Sequence, residues 1–210
     1  MQVRRVDVGH HLQCKHRVSH TMIENILSVR EIQPSDIDSI IQYWIFSDAA
    51  HFLRMGVDIN KIPEETQLRE NFLHHINTPI EQRRSYCIIW QVDGKPVGHS
   101  NTNPSFFGEE AFMHLHIWDN TVRKKGLGAE LVKMTLPYFF NNLQLKKLYC
   151  EPYALNPSPN RTLEKVGFEF EKEYITTPGA INFEQPVNRW VMTVKRFQEL
   201  NSQKQDEKAT

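Results

Sequence analysis

The chain has 210 residues, enough for one domain with a sizeable core. Its 25 lysine and arginine residues balance 25 aspartate and glutamate residues, so no overall field favours nucleic acid or an anionic membrane, and any anion site must be local. No apolar run is long enough to span a bilayer, and the three cysteines, Cys14, Cys87 and Cys150, are odd in number and widely spaced, which argues against a disulfide framework. We therefore expect a cytoplasmic protein with no nucleic-acid or membrane partner.

Both ends of the chain are polar. We expect residues 1–21 to be a disordered extension and residues 199–210 to be a frayed tail, with one domain over residues 22–198. The first segment is rich in histidine and includes Cys14, and these residue types can ligate a metal. It lacks two well-spaced ligand pairs, so no metal site is predicted there.

The first half of the domain predicts one strand, two helices and a hairpin. Residues 26–32 suit a strand, and helical apolar spacing follows Pro34 and again Pro63. Two β-rich runs within residues 84–103 meet at Asp93-Gly94, a strong hairpin signal.

The second half alternates strands with helices. Residues 111–118 suit a strand, and residues 130–140 suit a helix that Pro137 kinks or shortens. A strand over 146–155, a short helix over 156–168 and two closing strands over 168–176 and 188–197 complete the order. This order predicts a mixed α/β layered domain.

The run "WDNTVRKKGLGAEL" (118–131) joins a strand to a helix through two glycines. Such a junction presents backbone N–H groups and a helix N-terminus to an anion. The run lacks the Gly-Lys-[Ser/Thr] ending of a Walker-type loop, and Leu131 stands where the dinucleotide fingerprint needs its third glycine. A tight turn with a solvated basic face is the simpler alternative.

The segment "RKKGLGAELV" resembles the acyl-CoA pyrophosphate loop of the GNAT superfamily of N-acetyltransferases, whose pattern is [Gln/Arg]-x-x-Gly-x-[Gly/Ala]. Downstream, "NPSPNRTLEKVGF" resembles the asparagine-containing helix of the branch that acetylates the N-termini of ribosomal proteins. The resemblance covers roughly residues 26–196. It implies an α+β layered fold, with a mixed, mostly antiparallel sheet of about six or seven strands and about four helices on its two faces.

The resemblance also implies acetyl-CoA as co-substrate, with no metal. Backbone amides from Lys125 to Ala129 would cradle the pyrophosphate, and the two glycines would let the backbone approach closely. The residues implied to contact acetyl-CoA are Ile117 and Trp118 of the strand, Arg123, Lys124, Lys125, Gly126, Leu127, Gly128 and Ala129 of the loop, and Asn156, Asn160 and Arg161 of the later helix. For the last three, helix capping and surface solvation is the alternative.

Three residues are candidates for the general base. His114 and His116 share one face of their strand with Trp118, and an imidazole titrates near neutrality. Glu151 aligns with the catalytic glutamate of the ribosomal-protein branch. Packing for the histidines and a surface position for Glu151 are the simpler interpretations. A metal site of His114, His116 and His99 is a further, thinner alternative.

Leu163 stands where many relatives carry a tyrosine acid, so the group that protonates the thiolate is open. Tyr153, a water, or no dedicated acid are the alternatives. The acceptor pocket is expected among the aromatic residues Trp44, Phe46, Phe52, Phe106 and Phe107.

The implied function is transfer of an acetyl group to a primary amine by direct attack in a ternary complex. The acceptor is a small molecule or a protein N-terminus, and a homodimer is one option for the assembly. A non-catalytic acyl-CoA sensor on the same fold is the competing hypothesis, and Leu163 is the feature that favours it.

Overall fold

The computed structural model describes residues 25–119, 121–122 and 126–209, the last six by backbone alone. The strands are β1 Leu27–Glu31, β2 Tyr86–Val92, β3 Lys95–Phe106, β4 Glu110–Ile117, β5 Lys147–Cys150, β6 Glu169–Thr176 and β7 Gln185–Thr193. The helices are α1 Ile37–Phe46, α2 Ala49–Arg54, α3 Glu65–Asn77, α4 Leu127–Pro137, α5 Pro157–Val166 and α6 Val194–Ala209.

The seven strands form one sheet in the order β1-β2-β3-β4-β5-β7-β6. Every neighbouring pair is antiparallel except β4 and β5, which are parallel. The predicted fold class, a mixed and mostly antiparallel layered sheet, is confirmed. The described helices number six rather than about four, because α2 and α6 add to the predicted set.

The β2–β3 hairpin turns at the predicted dipeptide. Asp93 and Gly94 both have positive φ, 51° and 76°. Two positive φ values match the twist of a tight hairpin, and asparagine, aspartate and glycine tolerate them best. Val92 then pairs with Lys95, as a two-residue turn requires.

Two hydrophobic clusters cover the two faces of the sheet. The larger cluster holds the buried side chains of α4, α5 and α6, and in it Trp90 Nε1 donates a 2.9 Å hydrogen bond to Thr135 Oγ1. The smaller cluster packs α1 and α2 against β2. Because β4 side chains alternate, Met113 and Leu115 pack in the larger cluster whereas Trp118 packs in the smaller one. The face shared by His114, His116 and Trp118 therefore meets α1 and α2.

The end of the chain differs from the sequence-based expectation. The last strand ends at Thr193, and α6 runs from Val194 to Ala209 where a strand end and a frayed tail were expected. Thr193 Oγ1 accepts a hydrogen bond from the Arg196 amide, and Phe197 stacks on Phe140 with ring centroids 4.5 Å apart. These contacts start the helix and anchor its first turns. The extension expected over residues 1–21 lies outside the described residues.

Pro137 ends α4, as expected, and a π-helical turn follows at Tyr138–Asn142. Among the described helices, none is long and apolar enough to cross a membrane.

Candidate active site

The sheet opens between its two parallel strands. The β4–β5 ladder pairs Glu110 with Lys147 and ends at the pair Phe112 and Tyr149. Beyond that pair, β4 continues for five residues to Ile117 with no further pairing to β5 in the described part of the chain. Backbone groups along one edge of β4 therefore face a gap that a ligand can enter.

The N-terminus of α4 lies beside this gap. Gly126, the residue before the helix, has φ +76°, and a Cβ built on it meets no atom of the described residues within 4 Å. The three atoms nearest to a Cβ on Gly128 are Thr162 Oγ1 at 3.9 Å, and Ile117 Cδ1 and Thr162 Cγ2 at 4.0 Å, which are ordinary van der Waals distances. Glycine inside a helix costs about 1 kcal/mol relative to alanine, and the protein's own packing does not require it at Gly128. Among the described residues, none comes closer to the start of α4 than van der Waals contact at these two glycines.

Two other loop residues pack inward, since Leu127 and Ala129 lie against the larger cluster. The predicted phosphate contacts of Arg123, Lys124 and Lys125 lie outside the described residues.

The three predicted cofactor ligands of α5 differ in their contacts. Asn156 is the N-cap and accepts a 3.4 Å bond from the Ser158 amide, and Arg161 is exposed. Asn160 is buried, and its amide donates to two backbone carbonyls and accepts from Asn188 and Trp190, which uses its full capacity. Its contacts lock α5 to β7. Binding of acetyl-CoA by these residues stays a prediction.

Leu163 is fully buried in the larger cluster. Tyr153 lies closer to the gap and packs edge-on against Phe183, with ring centroids 6.1 Å apart. Tyr153 stays a candidate for the group that protonates the thiolate, because Leu163 stands where many relatives carry a tyrosine acid.

A cavity of about 460 Å³, here called the inner cavity, connects the gap with the helices α1 and α3. Its lining includes Trp44, Met55, Phe72, His75, His99, Asn101, His114, His116, Glu151, Tyr153, Asn156 and Ile181. The three predicted base candidates therefore lie in one cavity. Trp44 lines it as predicted, whereas Phe52 is buried in the smaller cluster and Phe106 stacks under the Arg84 guanidinium.

Two imidazoles stack at the centre of this cavity. The rings of His99 and His116 have centroids 4.6 Å apart, and Trp118 Nε1 donates a 2.8 Å hydrogen bond to Nδ1 of His99. Burial lowers the pKa of His99 to about 3. Burial, and then the neighbouring imidazoles, hold the pKa of His116 well below its ordinary value of 6.5. Both rings are therefore neutral at pH 7, the state in which an imidazole can accept a proton.

His114 and Glu151 also hold short hydrogen bonds. His114 Nε2 donates to the Asn103 carbonyl at 2.8 Å, and burial lowers the pKa of this imidazole. Glu151 forms an ion pair with Arg189 and accepts a 2.5 Å bond from Tyr174, both on Oε1. Burial and the Glu151 carboxylate raise the pKa of Tyr174. Glu151 is thus held in place by two donors.

A second cavity, here called the outer cavity, has a volume of about 770 Å³. Its lining includes Phe46, Asp48, His51, Trp118 and Asp119. Tyr43 also lines it, and the ring of His116 packs against this tyrosine with centroids 5.7 Å apart. The aromatic wall of Tyr43 and Trp118 therefore separates the two cavities.

Sequence reasoning missed Tyr43, His51, Tyr174 and Arg189. Tyr43 lies within the apolar stripe of α1, which gave it the signature of a core residue. The pairing of Arg189 with Glu151 joins positions 38 residues apart, which no local pattern marks.

No group of three or more histidine, cysteine, aspartate or glutamate side chains is placed to hold a metal ion in the residues that the structure describes. The alternative metal site of His99, His114 and His116 gains no support, because Trp118 already occupies Nδ1 of His99. Cys87 and Cys150 are buried free thiols.

Comparisons with known proteins agree with this geometry. The family model described as "Acetyltransferase (GNAT) domain" matches residues 27–169. No curated protein matches the sequence significantly.

Three solved structures share the fold. RimL, a ribosomal L7/L12 alpha-N-protein acetyltransferase in complex with coenzyme A, has 13% identity and a TM-score of 0.65 over 81% of this chain and 95% of that chain. The aminoglycoside acetyltransferase AAC(6')-Ib with coenzyme A and kanamycin has 18% identity and a TM-score of 0.63 over 83% and 98%. Spermidine N-acetyltransferase from Vibrio cholerae with coenzyme A and spermine has 18% identity and a TM-score of 0.66 over 82% and 98%.

Proposed function

The chain belongs to the GNAT family of acetyltransferases, and on that premise we propose that it transfers the acetyl group of acetyl-CoA to a primary amine by direct attack in a ternary complex. One observation carries the proposal. The gap between β4 and β5 adjoins the glycine-bearing start of α4 and leads into a cavity lined by neutral imidazoles. Such a channel suits a long thioester that enters from one side and an amine that enters from the other.

The residues around the gap fit the donor. A helix N-terminus attracts anionic phosphates, and the open space above Gly128 leaves room for a pyrophosphate against the backbone. The edge of β4 beyond Phe112 can accept and donate hydrogen bonds to the amide-bearing arm of coenzyme A. Asn156, the N-cap of α5, lines the inner cavity, and Arg161 follows on the same helix. When bound, acetyl-CoA supplies the activated acyl group, and the protein positions it.

The inner cavity supplies the acceptor side. An amine attacks only when it is uncharged, so the site needs a group that takes a proton at neutral pH. We propose His116 as this group, because its ring is neutral, lines the cavity and contacts Tyr43 of α1. His114 and Glu151 are the alternatives, and each already holds a strong hydrogen bond.

The acceptor class is proposed as a small amine or a protein N-terminus. The charge of Glu151 in the inner cavity is offset by Arg189. We further propose a cytoplasmic location, and a catalytic domain over residues 22–198; α6 begins inside this range and continues beyond it.

Two measurements test the function. In a thermal-shift assay, saturating acetyl-CoA is expected to raise Tm, because a ligand that binds only the folded state stabilises it. The second measurement is a thiol-release assay with acetyl-CoA and three candidate acceptors: a polyamine, an aminoglycoside and a peptide with a free N-terminus. One of these acceptors is expected to give turnover. A Tm shift without turnover on any amine would favour the acyl-CoA sensor, and the absence of a shift would reject both functions.

A further inference from the structure

We propose that His116, Tyr43 and His51 form a proton relay that carries the acceptor's proton from the inner cavity to the outer cavity. The relay rests on the proposed function, since it serves the amine in the inner cavity. Neither the family match nor the solved relatives assign a role to Tyr43 or His51.

The contacts form an unbroken chain between the two cavities. His116 Nδ1 lies 3.4 Å from the Tyr43 hydroxyl, and that hydroxyl lies 3.0 Å from His51 Nε2. His116 lines the inner cavity, whereas Tyr43 and His51 line the outer one. Tyr43 is buried, with 6% of its surface exposed, so its hydroxyl bridges the two imidazoles inside the protein.

The Tyr43 hydroxyl has a second acceptor, because Met55 Sδ lies 3.2 Å away. A thioether is a weak hydrogen-bond acceptor compared with an imidazole nitrogen. Donation to His51 Nε2 is therefore the favoured orientation, and it leaves the hydroxyl oxygen to accept from His116 Nδ1–H. In this arrangement Nε2 is the nitrogen of His116 that accepts a proton from the amine.

The relay explains how His116 can accept a proton without keeping the positive charge. Burial and the facing imidazoles of His99, His114 and His51 lower the pKa of His116, so this ring is a poor place to leave a positive charge. A shift along the hydrogen bonds avoids that state. Nε2 of His116 takes the amine proton while Nδ1–H passes to the Tyr43 oxygen and the Tyr43 proton passes to His51 Nε2. The charge then resides on His51, which is partly exposed and lines the outer cavity.

The protons balance over the reaction. The ammonium form of the acceptor loses two protons when the N–C bond forms and the C–S bond breaks. One of them ends on the sulfur of coenzyme A, and the other must reach solvent. The relay carries this second proton, and His51 releases it to water.

Two variants remove one link each, and the first of them also keeps the ring packing. Tyr43→Phe retains the ring that packs on Trp44 and Phe52 but lacks the hydroxyl. His51→Gln can still hydrogen-bond to Tyr43 but cannot take on a proton. Tyr138→Phe is the matched control, because its hydroxyl bonds to the Val29 carbonyl at 3.4 Å, on the opposite side of the sheet.

At pH 7, kcat is expected to fall roughly 10- to 100-fold in Tyr43→Phe and in His51→Gln, with the KM for acetyl-CoA unchanged. The loss should shrink as pH rises and the free amine loses its proton in water. The solvent deuterium isotope effect on kcat should change in both variants and stay at the parent value in Tyr138→Phe. If both relay variants keep kcat and the isotope effect within twofold of the parent, the relay is wrong.

A second readout does not depend on turnover. Nitrogen NMR of the labelled imidazoles should show His116 neutral at pH 7 with its proton on Nδ1, and His51 with Nε2 as acceptor. A proton on Nε2 of His116 would overturn the relay, because no proton could then move outward. Should the parent chain acetylate no amine, the proposed function fails, and these tautomers still decide whether the relay exists.

Discussion

Replacing Gly128 by glutamate separates the stability of the fold from the binding of coenzyme A. Among the described residues, the atoms nearest to a Cβ at this position belong to Thr162 and Ile117, at 3.9 and 4.0 Å, so the backbone accepts a side chain. Glutamate has a better helix propensity than glycine by about 0.5–1 kcal/mol, and a carboxylate in the first turn of α4 adds about 0.3–1 kcal/mol. Gly128→Glu should therefore raise Tm by a few degrees in the absence of ligand.

Binding should change in the opposite direction. A unit charge about 4 Å from a phosphate charge costs about 1 kcal/mol in water and about 4 kcal/mol near a protein surface. These values correspond to an affinity for coenzyme A between about fivefold and several hundredfold lower. Gly128→Ala is the matched control, since it gains the same helix propensity without the charge, and the loop pattern accepts alanine at this position.

Thermal denaturation and isothermal titration with coenzyme A check both effects. The reasoning is refuted if Gly128→Glu binds coenzyme A within twofold of the parent. It is also refuted if Gly128→Ala loses binding to the same extent, because steric exclusion rather than charge would then explain the loss.

Three further outcomes follow from buried polar groups. Burial lowers the pKa of His99 from 6.5 to about 3, so between these two pH values the unfolded chain binds a proton that the folded chain does not. The free energy of unfolding therefore falls by about 1.4 kcal/mol for each pH unit below about pH 6.5. Urea unfolding of His99→Gln should show a pH dependence of this free energy that is weaker by that amount, and an equal pH dependence would contradict the prediction. Thr135→Val leaves the buried Trp90 N–H without its 2.9 Å acceptor and should lower the free energy of unfolding in urea by about 1–3 kcal/mol. An unchanged free energy of unfolding would mean that the bond does not stabilise the fold. Arg189→Met leaves the Glu151 carboxylate, which is 8% exposed, without its cation and should lower the free energy of unfolding by about 2–4 kcal/mol. Adding Glu151→Gln should restore most of that free energy, and a failure to restore it would show that the loss comes from packing.

Local sequence patterns predicted the features that depend on the backbone conformation of a few adjacent residues. The Asp93-Gly94 turn needs two positive φ values, and few residue pairs accept them, so the hairpin was visible in the sequence. Gly126 likewise needs φ +76° at the start of α4. The alternation of His114, His116 and Trp118 followed from strand geometry alone and is confirmed.

Contacts between distant segments were not predictable. Val191, Thr193 and Val194 are β-branched and favour a strand, yet the chain becomes helical at Val194 because Phe197 stacks on Phe140. Tertiary packing overrode the local preference there. Tyr43 and His116 are 73 residues apart, and only the folded sheet brings the hydroxyl to the imidazole. The same holds for the pairing of Glu151 with Arg189.

The short β4–β5 ladder has a mechanical consequence. Among the described residues, three residue pairs join the half-sheet of β1 to β4 to the half-sheet of β5 to β7. A molecule lodged in the gap would touch both halves and act as a further tie between them. Donor binding is then expected to slow hydrogen exchange at amides on both sides of the gap, including those of Met113 and Cys150. The β4–β5 junction would thus be the weakest junction of the sheet until the bound donor connects its two sides.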